Sequence, residues 1–219
     1  MALTAQDRAK KIKIILFDVD GVWTDGTIWL VPGTAHAGVL DEVRGNGGSD
    51  ISMGVQSDTM VEVKGYSAHD GLGIALGRMG GLKYGVITKR ISETVATRAR
   101  DLKIEYVYQG QAFKMEPVRR ICAEEGLALD EVCYVGDDII DLPVMREVGF
   151  AVAVANARER VKKEAHYITP NRGGNGAARD TIEFVLEAQG KLDQCIQAYV
   201  DKSTSIAASS DIGGASHGK

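Results

Sequence analysis

A chain of 219 residues with 44% hydrophobic content can bury one substantial core, with room for an elaboration but not for several domains. A formal net charge of −4 and a pI near 5.6 exclude a general attraction to nucleic acid or to an anionic membrane. Cys122, Cys133 and Cys195 form no CxxC pair and the four histidines are scattered, which argues against a disulfide framework or a histidine metal site. No run of 18 apolar residues occurs and no signal peptide is legible, so a cytoplasmic protein is expected.

Residues 11–17 read KIKIILF, and the last four form the continuous apolar run of a strand buried on both faces. Asp18 and Asp20 follow at its C-terminal end, turned the same way by the two-residue period. Open α/β sheets bind ligands at that end, although a solvated Asp-Gly turn is the plain alternative. Residues 26–31 and 60–66 read as the arms of a long hairpin, with an irregular tip between them rich in Gly and small polar residues. Asp70 reads as the N-cap of a helix from Gly71 to about Gly80.

From there strands and helices alternate. Strands are predicted at 84–88, 106–108, 132–136, 150–154 and 167–169. Helices are predicted at 92–102, 114–125, 141–148, 159–165 and 177–189, the last prolonged through 192–199. The alternation predicts right-handed crossovers and a doubly wound parallel α/β sheet. The chain is read as one domain over 1–200 with a β-hairpin flap at 22–66, followed by a disordered Ser/Gly/Ala-rich tail at 201–219.

Three further strand ends carry polar residues: Thr88 in GVITKR, Lys114 in YQGQAFK, and Asp137, Asp138 and Asp141 in YVGDDIIDLPVM. A parallel sheet gathers its C-terminal strand ends on one edge, so Asp18, Asp20, Thr88, Lys114, Asp137 and Asp138 are expected to converge. Carboxylates without thiols or imidazoles make a hard oxygen site suited to Mg²⁺. A lysine and a hydroxyl beside it suit a phosphoryl group. One carboxylate can attack phosphorus, and a second two residues on can move protons. Singly, Thr88 reads as a strand-end hydroxyl, Lys114 as a solvated helix residue and GDDxxD as a capped turn; their order and shared edge carry the chemistry.

FDVDG, ITKR, Lys114 and GDDIID in this order resemble the haloacid dehalogenase superfamily of phosphohydrolases, with its Rossmann-like sheet. The chain is similar in particular to the 3-deoxy-D-manno-octulosonate 8-phosphate phosphatase family, through DVDGVWTDG, VKGYSAHDGLGI, YQGQAFK, YVGDDIIDLPVM and GGNGAARD over about 12–200. The resemblance implies a nucleophile at Asp18, an acid/base at Asp20, and phosphoryl contacts at Thr88 and Lys114. It implies Mg²⁺ on Asp18, the Asp20 carbonyl and Asp137, with Asp138 orienting the lysine or a metal-bound water. His69 and Lys89 stand where relatives usually carry Arg and Gly, and the hairpin is longer than the family's.

The implied function is hydrolysis of a small sugar-acid phosphate, an eight-carbon keto-acid phosphate of lipopolysaccharide synthesis or its nine-carbon relative, through an aspartyl phosphate. The implied assembly is a homotetramer whose hairpins and C-terminal segments help enclose neighbouring sites, with no nucleic-acid or membrane partner. Lys64 and Arg90 are the candidates to meet the sugar acid's carboxylate. A signalling receiver domain, which also uses Asp, Thr and Lys with Mg²⁺, and a silent oligomerisation module are the competing readings. The DxD spacing and the acid cluster after the lysine argue against the first, and the intact motif set against the second.

Overall fold

The computed structural model describes residues 3–33, 57 and 59–209, with side chains as far as 202. The irregular insert expected at the hairpin tip therefore lies outside the described residues, apart from its edges.

A short helix α1 (Ala5–Ala9), absent from the sequence reading, opens the chain and is closed by a capping box between Thr4 and Asp7. Strand β1 (Ile14–Phe17) follows and is fully buried. The hairpin strands β2 (Trp29–Pro32) and β3 (Met60–Val63) pair antiparallel, with Trp29 opposite Val63 and Leu30 opposite Glu62. Helix α2 (Ala68–Met79) comes next. It starts earlier than expected because Ser67, not Asp70, caps it. Asp70 lies in its first turn, buried, and accepts the Arg179 N–H at 3.0 Å from another helix.

The alternating part runs β4 (Lys83–Ile87), α3 (Glu93–Asp101), β5 (Tyr106–Tyr108), α4 (Met115–Glu125) and β6 (Val132–Gly136). A 3₁₀ turn at Ile139–Asp141 leads into α5 (Leu142–Met145), then β7 (Phe150–Ala153), α6 (Glu159–Lys162), β8 (Tyr167–Ile168), α7 (Ala177–Ala188) and α8 (Leu192–Ser209). The last helix corrects the tail: its backbone continues to Ser209, beyond the expected boundary at 201, and 210–219 lie outside the described residues.

The six core strands form one sheet in the order β5-β4-β1-β6-β7-β8, and every pairing is parallel. The chain winds outward from β1 in both directions, so β1 is the topological switch point where such sheets bind ligands. Phe17 stands opposite Val86 on one side and Val135 on the other, which sets the ends of β4, β1 and β6 level. Helices α1, α2, α7 and α8 pack with one another, and α4 packs with α5.

Candidate active site

Directly after β1 the Asp18 N–H donates to the Val135 carbonyl at 3.0 Å, so the nucleophile candidate is held by one last rung of the ladder. The chain then turns tightly, with the N–H groups of Val22, Trp23 and Thr24 all converging on the Val19 carbonyl. Gly21 sits in this turn at φ +92°, and a Cβ there would collide with the Asp137 carboxylate. The backbone beside Asp20 and the Asp137 side chain are thus in direct apposition, which only glycine permits. Asn156 staples the same turn, donating to the Gly21 carbonyl at 3.0 Å and accepting from the Gly173 N–H at 2.6 Å.

Lys114 enters from the start of α4, buried to 3% exposure. Its Nζ lies 2.7 Å from Asp18 Oδ1 and 2.7 Å from Asp141 Oδ1. Burial works against its charge, but the two carboxylates outweigh that and hold its pKa above the ordinary lysine value. Thr88 is buried two residues beyond Val86, at the same edge, and its Oγ1 accepts the Arg90 N–H at 3.3 Å.

Asp141 is the functional residue that the sequence reading left outside the converging set. Its Oδ1 accepts from Lys114 and, at 2.7 Å, from the Tyr134 hydroxyl. Its Oδ2 accepts the N–H groups of Asp137 at 3.0 Å and Asp138 at 3.2 Å. Asp141, rather than Asp138, therefore contacts the lysine, and it also holds the acidic loop through two backbone N–H groups. Asp138 is exposed, and its carboxylate accepts the Ile139 N–H at 2.7 Å as the cap of the 3₁₀ turn.

Asp18, Asp137 and Asp141 can each place an oxygen within 4.8 Å of the others. Both Asp141 oxygens are already engaged twice, which leaves Asp18 and Asp137 as the carboxylates available to a cation. Burial raises the Asp137 pKa to about 8, and the neighbouring Asp18, Asp141 and Asp138 charges add to it. Burial likewise raises Asp18 above the carboxylate range, with Lys114 pulling against it and Asp141 with it. Packed acids served by one lysine lack positive charge, and their donors are all hard oxygens, so the site fits Mg²⁺. Asp20 immediately precedes the Gly21 turn that lies against Asp137.

On the hairpin side, Lys64 pairs with the Asp20 carboxylate and, at 3.1 Å, with Glu62. Arg90 pairs with Glu62 through its terminal nitrogen, while its Nε lies 3.8 Å from Asp20 Oδ2. Both residues expected to meet a substrate carboxylate therefore stand beside Asp20, and Glu62, unremarked in the sequence, joins them. His69 is exposed.

The protein-family model for haloacid dehalogenase-like hydrolases matches residues 86–179. The chain is 35% identical over 187 residues to 3-deoxy-D-manno-octulosonate 8-phosphate phosphatase of Escherichia coli strain K12, an alignment covering 85% of this chain and 86% of that one. The same phosphatase from Moraxella catarrhalis, solved in complex with magnesium, phosphate and a KDO molecule, superposes with a TM-score of 0.73 at 32% identity, covering 89% of this chain and 97% of that one. The Yersinia pestis phosphatase structure gives a TM-score of 0.71 at 33% identity over 86% of this chain and 88% of that one.

Proposed function

The chain belongs to the 3-deoxy-D-manno-octulosonate 8-phosphate phosphatase family of haloacid dehalogenase-like hydrolases, and from that premise we propose that it converts this sugar-acid phosphate to the free acid and phosphate with Mg²⁺ as cofactor. The observation that carries the reading is the shared lysine. Lys114 bridges Asp18 and Asp141 at the switch point, with Asp137 packed on the Gly21 turn beside them.

In this reading Asp18, Asp137 and the Asp20 carbonyl would hold Mg²⁺, which would supply charge neutralisation to the phosphoryl group and to Asp18. Lys114 and Thr88 orient the phosphoryl oxygens. An Asp18 oxygen attacks phosphorus, the ester P–O bond breaks, and the leaving oxygen takes its proton from the Asp20 carboxyl. Water then attacks the aspartyl phosphate, gives its proton to Asp20, and releases phosphate and the Asp18 carboxylate. Positioning and charge neutralisation supply most of the acceleration in such transfers. Lys64 and Arg90 meet the substrate carboxylate.

The outer face of the hairpin supports a homotetrameric assembly: Trp29 is 60%, Val31 38% and Val63 42% exposed, an apolar surface that a neighbouring subunit would cover. Residues 1–200 act as one phosphatase domain. Three buried, unpaired cysteines support a cytoplasmic location, and among the described residues no helix is long and apolar enough to cross a membrane.

The test is turnover of 3-deoxy-D-manno-octulosonate 8-phosphate with Mg²⁺, compared by kcat/KM with a nine-carbon sugar-acid 9-phosphate. A higher kcat/KM for the eight-carbon substrate supports the proposal. Preference for the nine-carbon compound would reassign the substrate. A phosphoprotein that persists without turnover would favour the receiver reading.

A further inference from the structure

We infer that Glu62 is a positioning residue that pre-sets the two hairpin-side cations for the carboxylate of the substrate, an inference that rests on the sugar-acid reading above. Glu62 and Lys64 are two residues apart, so they share one side of the strand while Val63 faces outward. The Glu62 carboxylate is 7% exposed and spans both cations, Lys64 through Oε1 and Arg90 through Oε2. With Asp20 these groups form a closed ring of two acids and two bases at the edge of the acidic site.

The ring leaves specific atoms unused. Arg90 Nε is buried and has no hydrogen-bond partner, and it stands on the Asp20 side of the guanidinium. A buried N–H without an acceptor is costly, so a repacking of the ring that gave it a carboxylate oxygen would be favoured. Glu62 Oε1 is likewise buried without a hydrogen bond, although Lys64 lies beside it.

Two effects of Glu62 oppose each other. Its charge repels a second carboxylate. Its grip also fixes Arg90, which follows β4 outside any helix or strand and would otherwise lose the freedom of a long side chain on binding. The repulsion is moderated because Lys64 and Arg90 both contact Glu62, whereas an unheld arginine would give up much of its rotamer freedom on binding. Pre-ordering therefore wins, and it acts on binding rather than on the chemical step.

The experiment measures KM and kcat of the full-length enzyme with Mg²⁺ on 3-deoxy-D-manno-octulosonate 8-phosphate and on p-nitrophenyl phosphate, which has no carboxylate. Glu62→Ala is expected to raise KM for the sugar-acid phosphate about tenfold, with kcat and both constants for p-nitrophenyl phosphate within about threefold of the parent. Glu62→Gln keeps an acceptor for Arg90 and should recover most of the KM. A lower KM in either variant would show that Glu62 repels the substrate, and equal losses on both substrates would show a role in the fold or the chemical step; each overturns the inference. Arg90→Ala and Lys64→Ala test the reading beneath it: if neither separates the two substrates, the carboxylate does not bind here. If they separate them and Glu62→Ala does not, only the positioning role fails.

Discussion

Lys114 Nζ is equidistant, at 2.7 Å, from Asp18 and Asp141, although only one of those acids faces the site edge with an oxygen to spare. Asp141 spends its carboxylate on Lys114, Tyr134 and two backbone amides, and its side chain is fully buried. Removing it leaves the buried ammonium with Asp18 alone and two backbone N–H groups without their acceptor. Asp141→Ala is expected to cost about 3–5 kcal/mol in urea unfolding and at least tenfold in kcat. Asp138→Ala removes only an exposed cap and should cost about 1 kcal/mol. Equal losses in the two variants would return the orienting role to Asp138.

Asp18→Asn should abolish turnover while leaving the unfolding midpoint near native, since the amide keeps the shape but is a poor nucleophile. Asp20→Asn should lose at least about 10²-fold in kcat and still bind Mg²⁺ calorimetrically, because the metal is assigned to its backbone carbonyl. Near-native turnover by the Asp18 variant would exclude a covalent intermediate.

Asp137→Ala should raise the Mg²⁺ concentration for half-maximal activity by more than tenfold, because few protein oxygens are free to ligate. Lys114→Ala should instead depress activity at saturating Mg²⁺. An unchanged Mg²⁺ titration in the Asp137 variant would remove that residue from the metal's ligands.

Acid lability is expected from a residue outside the site. His166 Nδ1 accepts the Ala151 N–H at 2.9 Å, and burial, aided by repulsion from Arg8, holds its pKa below the ordinary histidine value. A depressed pKa means that the unfolded chain takes up the proton first, so this contribution to stability is lost as pH falls from about 6.5 through the lower folded value. Unfolding midpoints between pH 8 and pH 5 should decline less steeply in His166→Gln than in the parent. An unchanged slope would place the effect on another group.

The strand ends were legible because IILF, GVI and YVG announce buried parallel strands, and the edge they share follows from the topology alone. What escaped depends on partners distant in sequence. Three acids in GDDIID do not reveal which carboxylate turns inward; the 3₁₀ turn at Ile139–Asp141 decides it by folding Asp141 back against Gly136. The missed signal was Gly136 itself, where any side chain would occupy the place of Asp141. Asp70 looks like a helix cap locally but is drawn to the start of α7, over a hundred residues away. Glu62 lay on a visibly alternating strand, yet its pairing with Arg90 crosses from the hairpin to the end of β4. The last helix outran its predicted end because the Ala-containing stretch STSIAAS supports helix despite its serines.

The hairpin ladder also separates length from phase. Gly33 donates to the Thr59 carbonyl at 3.0 Å and closes the β2–β3 pair at its far end, away from Lys64. Lengthening a loop beyond such a closure adds only about 0.6 kcal/mol per doubling. Insertions or deletions within 34–56 should therefore be absorbed with little change at Asp20. A one-residue deletion at Val61, inside the ladder, would exchange the inward and outward sides of β3 if the strand kept its pairing at Met60. Glu62 and Lys64 would turn outward and valine would face the acid. The frame of this strand, rather than the size of the flap, is where the chain is intolerant of change.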